Sequence, residues 1–147
     1  MYVIGFVGPS GTGKSHNATW VANEKNVSLI IDDGLLVRKN KVLAGKSAKR
    51  EETRIGAVRR ALFMDEEHAN EVREAIAKTG EDRILVLGTS VKMVDRIAET
   101  LRLPKPDEYV FIEQVATLEE INKALTVRNS QGKHVIPVPT MEIKKDF

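Results

Sequence analysis

The octapeptide Gly8-Pro9-Ser10-Gly11-Thr12-Gly13-Lys14-Ser15, set directly after the apolar run Tyr2 to Val7, constrains this chain more than any other feature. It satisfies the pattern G-x-x-x-x-G-K-[ST] at every fixed position. Its glycines let the backbone curl at positive φ and approach an anion with no Cβ in the way. The curl turns successive N–H groups inward, making a nest for phosphate oxygens. A helix that follows presents its positive end to the same anion. Lys14 is then placed to reach outer phosphates, and the Ser15 hydroxyl to ligate a divalent cation. With ordinary residue usage, a chance match in a chain of this size is expected about 1 time in 200.

The flanking pattern is what such a loop requires, a buried strand before it and a helix after. Beyond the helix at about 14–24, Val27 to Ile31 reads as a second strand ending at Asp32-Asp33-Gly34. Leu35 to Ala44 has apolar residues on both sides of Arg38-Lys39-Asn40-Lys41, a pattern compatible with a hairpin excursion. From Glu51 to Lys78 apolar residues recur at helical spacing: Ile55, Val58, Leu62, Ala69, Val72 and Ile76. Asp65 interrupts that stripe and is placed to cap a second helix after a break near Met64. Gly80 ends the region.

Ile84 to Leu87 is a continuous apolar run, as in a strand buried on both faces. It ends at Gly88-Thr89-Ser90, before a helix carrying Val94, Ile97, Ala98 and Leu101 on one face. Tyr109 to Ile112 reads as the fourth strand, ending at Glu113-Gln114. Thr117 and Glu120 have capping-box spacing for a further helix. His134 to Val138 reads as a fifth strand, at a sheet edge because Pro137 cannot donate to a ladder.

Alternating strands and helices imply an α/β fold with a mainly parallel five-stranded sheet and helices on both faces. One domain over residues 1–147 is expected, with a basic, mostly helical insertion at about 34–82. Ligands in such sheets sit beyond the C-terminal strand ends.

Composition removes several alternatives. With no cysteine, disulfides and thiolate metal sites are excluded, and the three histidines, His16, His68 and His134, lie far apart in sequence. No apolar run approaches a membrane span, and the N-terminus lacks the basic start of a signal peptide, so the cytoplasm is the expected location. The net charge of +2 is small, but Arg38, Lys39, Lys41, Lys46, Lys49, Arg50, Arg54, Arg59 and Arg60 are opposed between Gly34 and Arg60 only by Glu51 and Glu52. That stretch is either a solvated segment or a face for an anion or an acidic partner. It contains no aromatic residue for base stacking, which disfavours nucleic acid. The chain closes on a charged stretch, Glu142 to Phe147, an end that suits a longer protein or one needing a partner.

On Gly8 to Ser15 the chain resembles the P-loop NTPase superfamily, strongly in that motif and architecturally elsewhere. The resemblance implies a three-layer P-loop fold that binds a nucleoside triphosphate with Mg²⁺. Gly8, Pro9, Ser10, Gly11, Thr12, Gly13, Lys14, Ser15 and His16 are then the cofactor-binding set. Members of the superfamily usually add a metal-side carboxylate at a strand end, often the third, but here the third strand ends Gly88-Thr89-Ser90 without an acid. Asp32-Asp33 at the end of the second strand instead resembles the small-metabolite kinases of the shikimate kinase type. That implies a catalytic or metal-side role for Asp32 or Asp33, with Ser15 and Asp32 as the metal pair.

By the same resemblance Arg128 occupies the region of a lid arginine. Arg59, Arg60, Lys46 and Lys49 are alternative cations. Glu113 is a rival acid, and Thr89 and Ser90 serve either a γ-phosphate or a helix cap. No Asn/Thr-Lys-x-Asp guanine motif is present, and Ser47-Ala48-Lys49 lies before the third strand, out of place for the short Ser-Ala-Lys motif. ATP is favoured, with adenine near Pro139-Thr140-Met141. Three functions follow from these expectations. The first is kinase-like phosphoryl transfer or ATP hydrolysis, with an anionic acceptor. The second is a slow nucleotide-dependent regulator with a protein partner, and the third a nucleic-acid-associated ATPase.

Overall fold

A strand buried on both faces must be apolar at every position, and Arg83–Gly88 meets that demand in all but its first residue. In the computed structural model, which describes residues 1–9 and 14–115, this strand lies at the middle of the sheet. The described strands are β1 (Tyr2–Val7), β2 (Leu29–Asp32), β3 (Leu35–Arg38), β4 (Lys41–Gly45), β5 (Arg83–Gly88) and β6 (Glu108–Phe111). They form one sheet in the order β4-β3-β2-β5-β1-β6. β5 pairs in parallel with β1 and with β2, and β6 pairs in parallel with β1. β3 and β4 extend the β2 edge as antiparallel strands.

Side-chain alternation divides the core between the two faces. On one face Val3, Leu29, Ile31, Ile84 and Val86 pack under helices α3 (Glu66–Thr79) and α4 (Val91–Thr100). On the other, Ile4, Phe6, Leu85 and Leu87 pack against Ala18, Val21 and Ala22 of α1 (Lys14–Glu24). The result is the expected three-layer P-loop architecture. Ile84 and Leu85 are fully buried, each worth about 1.5–3 kcal/mol of transfer free energy.

The sheet has six described strands where five were expected. The two additional strands are the hairpin at 35–45, while the expected strand at 134–138 lies outside the described residues, as does the helix from Thr117. The hairpin turns are short and chemically specified. Asp33 and Gly34 stand at φ 57° and 85°, and Lys39 and Asn40 at 49° and 66°, so each turn has two central residues at positive φ. That is the signature of the type I′ connection, for which Asp-Gly is a favoured pair. Gly34 has a second reason to be glycine, because a Cβ there would stand 2.3 Å from the carbonyl oxygen of Lys46.

The long helical stretch is broken where Asp65 indicated. α2 (Arg54–Ala61) is capped by Thr53 and α3 by Asp65, whose side chain accepts from the Glu67 N–H at 3.0 Å. Gly80 ends α3 in the left-handed region at φ 69°. The apolar stripe does not form one face, however. Ala69, Val72 and Ile76 are buried, whereas Ile55 and Val58 are 75% and 52% exposed. α2 buries no residue and stands off the sheet, because the chain between the helices turns at Phe63, held at φ 56° and itself buried.

Phe63 stacks on His68 of α3, with ring centroids 4.6 Å apart. His68 is buried, and its Nε2 lies 2.7 Å from the Gly34 carbonyl oxygen and 3.2 Å from the Lys46 nitrogen; the shorter contact, to an oxygen that can only accept, favours a proton on Nε2. Nδ1 has no hydrogen-bond partner. A second proton would therefore create a buried charge with one nitrogen unsatisfied. Burial accordingly pushes the His68 pKa below its ordinary value, the hydrogen bond to Gly34 opposing the shift.

Because the unfolded chain then binds that proton more readily than the folded one, the full contribution to stability is present above about pH 6.5 and declines as pH falls below it. Urea unfolding midpoints measured from about pH 8 to about pH 5 should fall with acidification, and His68→Gln should remove most of that slope. An unchanged slope in the variant would assign the pH dependence elsewhere.

Candidate functional site

Because β1, β2, β5 and β6 run parallel, their C-terminal ends share one edge of the sheet. The Gly8 N–H donates to the Gly88 carbonyl at 3.1 Å, tying the start of the octapeptide to the end of β5. A cavity of about 860 Å³ opens at this edge. Lys14, Ser15, Asp32, Asp33, Thr89 and Ser90 line its sheet side. Its size is within the usual range for small-molecule sites.

Lys14 and Ser15 open α1, so both side chains start at the positive end of that helix. Lys14 Nζ donates to the Gly8 carbonyl at 3.1 Å. Partial burial pushes its pKa down, and the Asp32 and Asp33 carboxylates act in the opposite direction. Ser15 Oγ donates to Asp32 Oδ2 at 2.7 Å. This contact crosses β5, since β2 is not adjacent to β1 in the sheet. A hydroxyl and a carboxylate so paired supply hard oxygen donors, the chemistry that Mg²⁺ selects, and Mg²⁺ sites commonly use only one or two protein groups beside substrate phosphates. The residues present fit that ion.

The two adjacent aspartates are separated by the turn. Asp32 is the last residue of β2, paired with Leu35, and faces Ser15. Asp33 is the first central residue of the hairpin turn. Its Oδ2 accepts from Ser47 Oγ at 2.8 Å and from the Lys49 N–H at 3.3 Å, while its carbonyl accepts from the Ala48 N–H at 2.9 Å. Asp33 thus holds the short 3-10 turn Ala48–Arg50, which forms part of the cavity rim. Ser47-Ala48-Lys49, out of place as a guanine motif, has this structural use.

His16 also lines the cavity. Ser90 caps α4, accepting from the Met93 N–H at 3.1 Å, and Thr89 Oγ1 lies against Met93 Sδ at 3.3 Å. Glu113 and Gln114 follow β6, on the opposite side of β1 from Asp32, and do not line the cavity. Pro9 is exposed beside Gly8. Ser10, Gly11, Thr12, Gly13, Arg128 and the 139–141 segment lie outside the described residues.

The basic stretch is not one face. Arg38 pairs with Glu81 at 3.1 Å, and Arg60 with Glu51 at 3.3 Å and Asp65 at 3.9 Å. Of the alternative cations only Lys49 lines the cavity. Arg54, Lys92 and Arg96 line it too, and sequence reasoning did not single them out as site residues. The signal for two of them was local: Lys92 and Arg96 are four residues apart on the helix that follows Thr89-Ser90, and so share a face. Among the described residues no helix is long and apolar enough to cross a membrane, and no three metal-binding side chains cluster.

The model of the ATPase family associated with various cellular activities (AAA) matches residues 4–137. No curated protein and no solved structure matches the chain.

The hydrogen bonds of Asp33 make its role separable from that of Asp32. Asp33→Ala should cost about 1–3 kcal/mol of stability and open the chain near Lys46, Lys49 and Arg50 to trypsin. Asp32→Ala should leave that cleavage pattern as in the wild type. Identical digestion of both variants would argue against Asp33 as the anchor of the turn.

Proposed function

The chain belongs to the AAA family of ATPases, and from that premise we propose that it hydrolyses ATP with Mg²⁺ at the strand-end cavity. The observation that carries the reading is the 2.7 Å hydrogen bond between Ser15 Oγ and Asp32 Oδ2 beside Lys14. In this reading the octapeptide N–H groups and the start of α1 bind the phosphates. Lys14 exchanges the Gly8 carbonyl for β- and γ-phosphate oxygens, and its positive charge offsets the charge that develops there. Ser15 is the direct metal ligand, and Asp32 holds that hydroxyl in position. Bound Mg²⁺ supplies Lewis-acid charge stabilisation to the phosphoryl oxygens. Asp33 positions the rim, and Arg128 is the candidate for a further cation over the transferring group.

Mechanistically, the γ-phosphoryl passes to water as its bond to the ADP oxygen breaks. A low-dielectric cavity strengthens each of these charge interactions. The location fits the cytoplasm, where Mg²⁺ and ATP are supplied together.

A kinase-like reading is favoured by one observation. The cavity continues past Asp32 and Thr89 to walls made by α2 and α4, which leaves room for an acceptor beside the phosphates. The two readings differ in product balance. Hydrolysis releases phosphate and ADP in equal amounts, whereas transfer to an acceptor from a small-molecule extract releases less phosphate than ADP.

Lys14→Ala should lower ATP turnover by at least about 100-fold while leaving the urea midpoint close to the wild type, because the residue acts on the charge of the transition state. Asp32→Asn should raise the Mg²⁺ concentration needed for half-maximal turnover. Full turnover in Lys14→Ala, with unaltered metal dependence in Asp32→Asn, would remove ATP hydrolysis at this site.

A further inference from the structure

The walls of the cavity farther from the sheet have a chemistry that a nucleotide-phosphate loop does not need. Lys49 stands on the 3-10 turn, Arg54 on the first turn of α2, and Lys92 and Arg96 on α4. None of the four makes an ion pair with a described carboxylate, in contrast to Arg38, Arg60 and Arg73. Among the described residues the only carboxylates lining the cavity are Asp32 and Asp33, and both already accept hydrogen bonds. Arg54 and Lys92 also stand in the first turns of their helices, where neither helix has an acidic residue. Cations there oppose the helix dipole, typically by about 0.3–1 kcal/mol each, and so are not placed for stability.

Between these cations the wall is apolar. Val58 and Leu62 from α2 and the adjoining turn, and Met93 from α4, line it. Val58 is 52% exposed and α2 has no buried residue, while Leu62 and Met93 pack partly against the core and line the cavity with the rest of their surface.

We propose that this half of the cavity binds an organic anion with an apolar body, a carboxylate or a phosphate ester, as a second ligand beside the phosphates. The proposal rests on the nucleotide reading for its position only, since the binding chemistry is that of the α2 and α4 walls. The anionic group pairs with Arg54 and Arg96, with Lys49 and Lys92 adding to the potential. The apolar part lies against Val58, Leu62 and Met93. Burying a cation-paired anion beside apolar surface selects against free inorganic phosphate, which offers nothing to the apolar wall, and against neutral apolar molecules, which leave the cations unpaired.

The test uses anilinonaphthalene sulfonate, an apolar body with one anionic group, and its uncharged parent phenylnaphthylamine, both read by fluorescence on the full chain. The sulfonate should bind with a stoichiometry near one, with and without Mg-ATP. The double variant Arg54→Gln/Arg96→Gln should bind it at least about tenfold more weakly, the loss expected for a hydrogen bond to a charged group. The same variant should bind the uncharged parent as the wild type does. Its retained basal ATP turnover will show that it is folded. Val58→Glu, at an exposed position, should weaken the sulfonate through like-charge repulsion.

Equal sulfonate affinity in wild type and double variant would overturn the proposal. So would complete displacement of the sulfonate by Mg-ATP, which would make these walls part of the nucleotide's own site. Lys14→Ala separates the two readings. Sulfonate binding retained in that variant supports the second site, whereas ATP turnover retained in it counts against the nucleotide reading alone.

Discussion

The hydrogen bond from Ser15 Oγ to Asp32 Oδ2 depends on a sheet order that chain order does not suggest. β1 and β2 are consecutive strands joined by α1, yet β5 lies between them. The crossover must therefore span two strand spacings, about 9–10 Å, before the carboxylate faces the hydroxyl. β5 makes this workable by being apolar through its centre and by ending in small residues, Gly88, Thr89 and Ser90, so nothing bulky stands between the loop and the acid. Without that insertion Asp32 would stand next to the loop, and the cavity beyond it would lose its floor.

The second constraint is the turn that follows. Reversing the chain immediately after Asp32 ends β2 with its carboxylate at the edge of the sheet, and the reversal requires positive φ at both Asp33 and Gly34. Several contacts converge to hold it. His68 donates to the Gly34 carbonyl, the Lys46 N–H reaches the same oxygen at 3.2 Å, and Asp33 ties down Ser47 and Lys49. Glu71 of α3 accepts from the Gly45 N–H at 2.9 Å, fastening the far end of the hairpin. The position of Asp32 is thus fixed from α3 as well as from the sheet, and the α3 residues that do so, His68 and Glu71, are not among those lining the cavity.

How much of this was legible in the sequence follows from range. Local signals were read correctly: α1 at 14–24, the cap at Asp65, the stop at Gly80, and the apolar run of β5. The acid was harder. The absence of a carboxylate at the end of β5 looked like a departure from the superfamily pattern, because the strand next to the loop was the place to seek one. The carboxylate that meets Ser15 is Asp32 on β2, and only the sheet order shows how it gets there. Asp32 and Asp33 were indistinguishable for a similar reason, since a hydrogen-bond partner fourteen residues away at Ser47 leaves no local trace. The helical stripe through Ile55 and Val58 misled in the opposite direction. Periodicity reports that a helix has an apolar side, not that the sheet is what covers it.

That exposed side of α2 bears on how the cavity can be held open. An apolar wall that is not packed collapses onto whatever lies opposite, unless charge or backbone geometry prevents it. Here Thr53 caps the start of α2, Phe63 inserts behind its end, and Arg60 reaches Glu51 and Asp65 on the side away from the cavity. Lys49, Arg54, Lys92 and Arg96 line the cavity and none is ion-paired to a described carboxylate, so like charge accumulates there. Repulsion of this kind lowers the stability of a closed arrangement and is relieved when an anion enters.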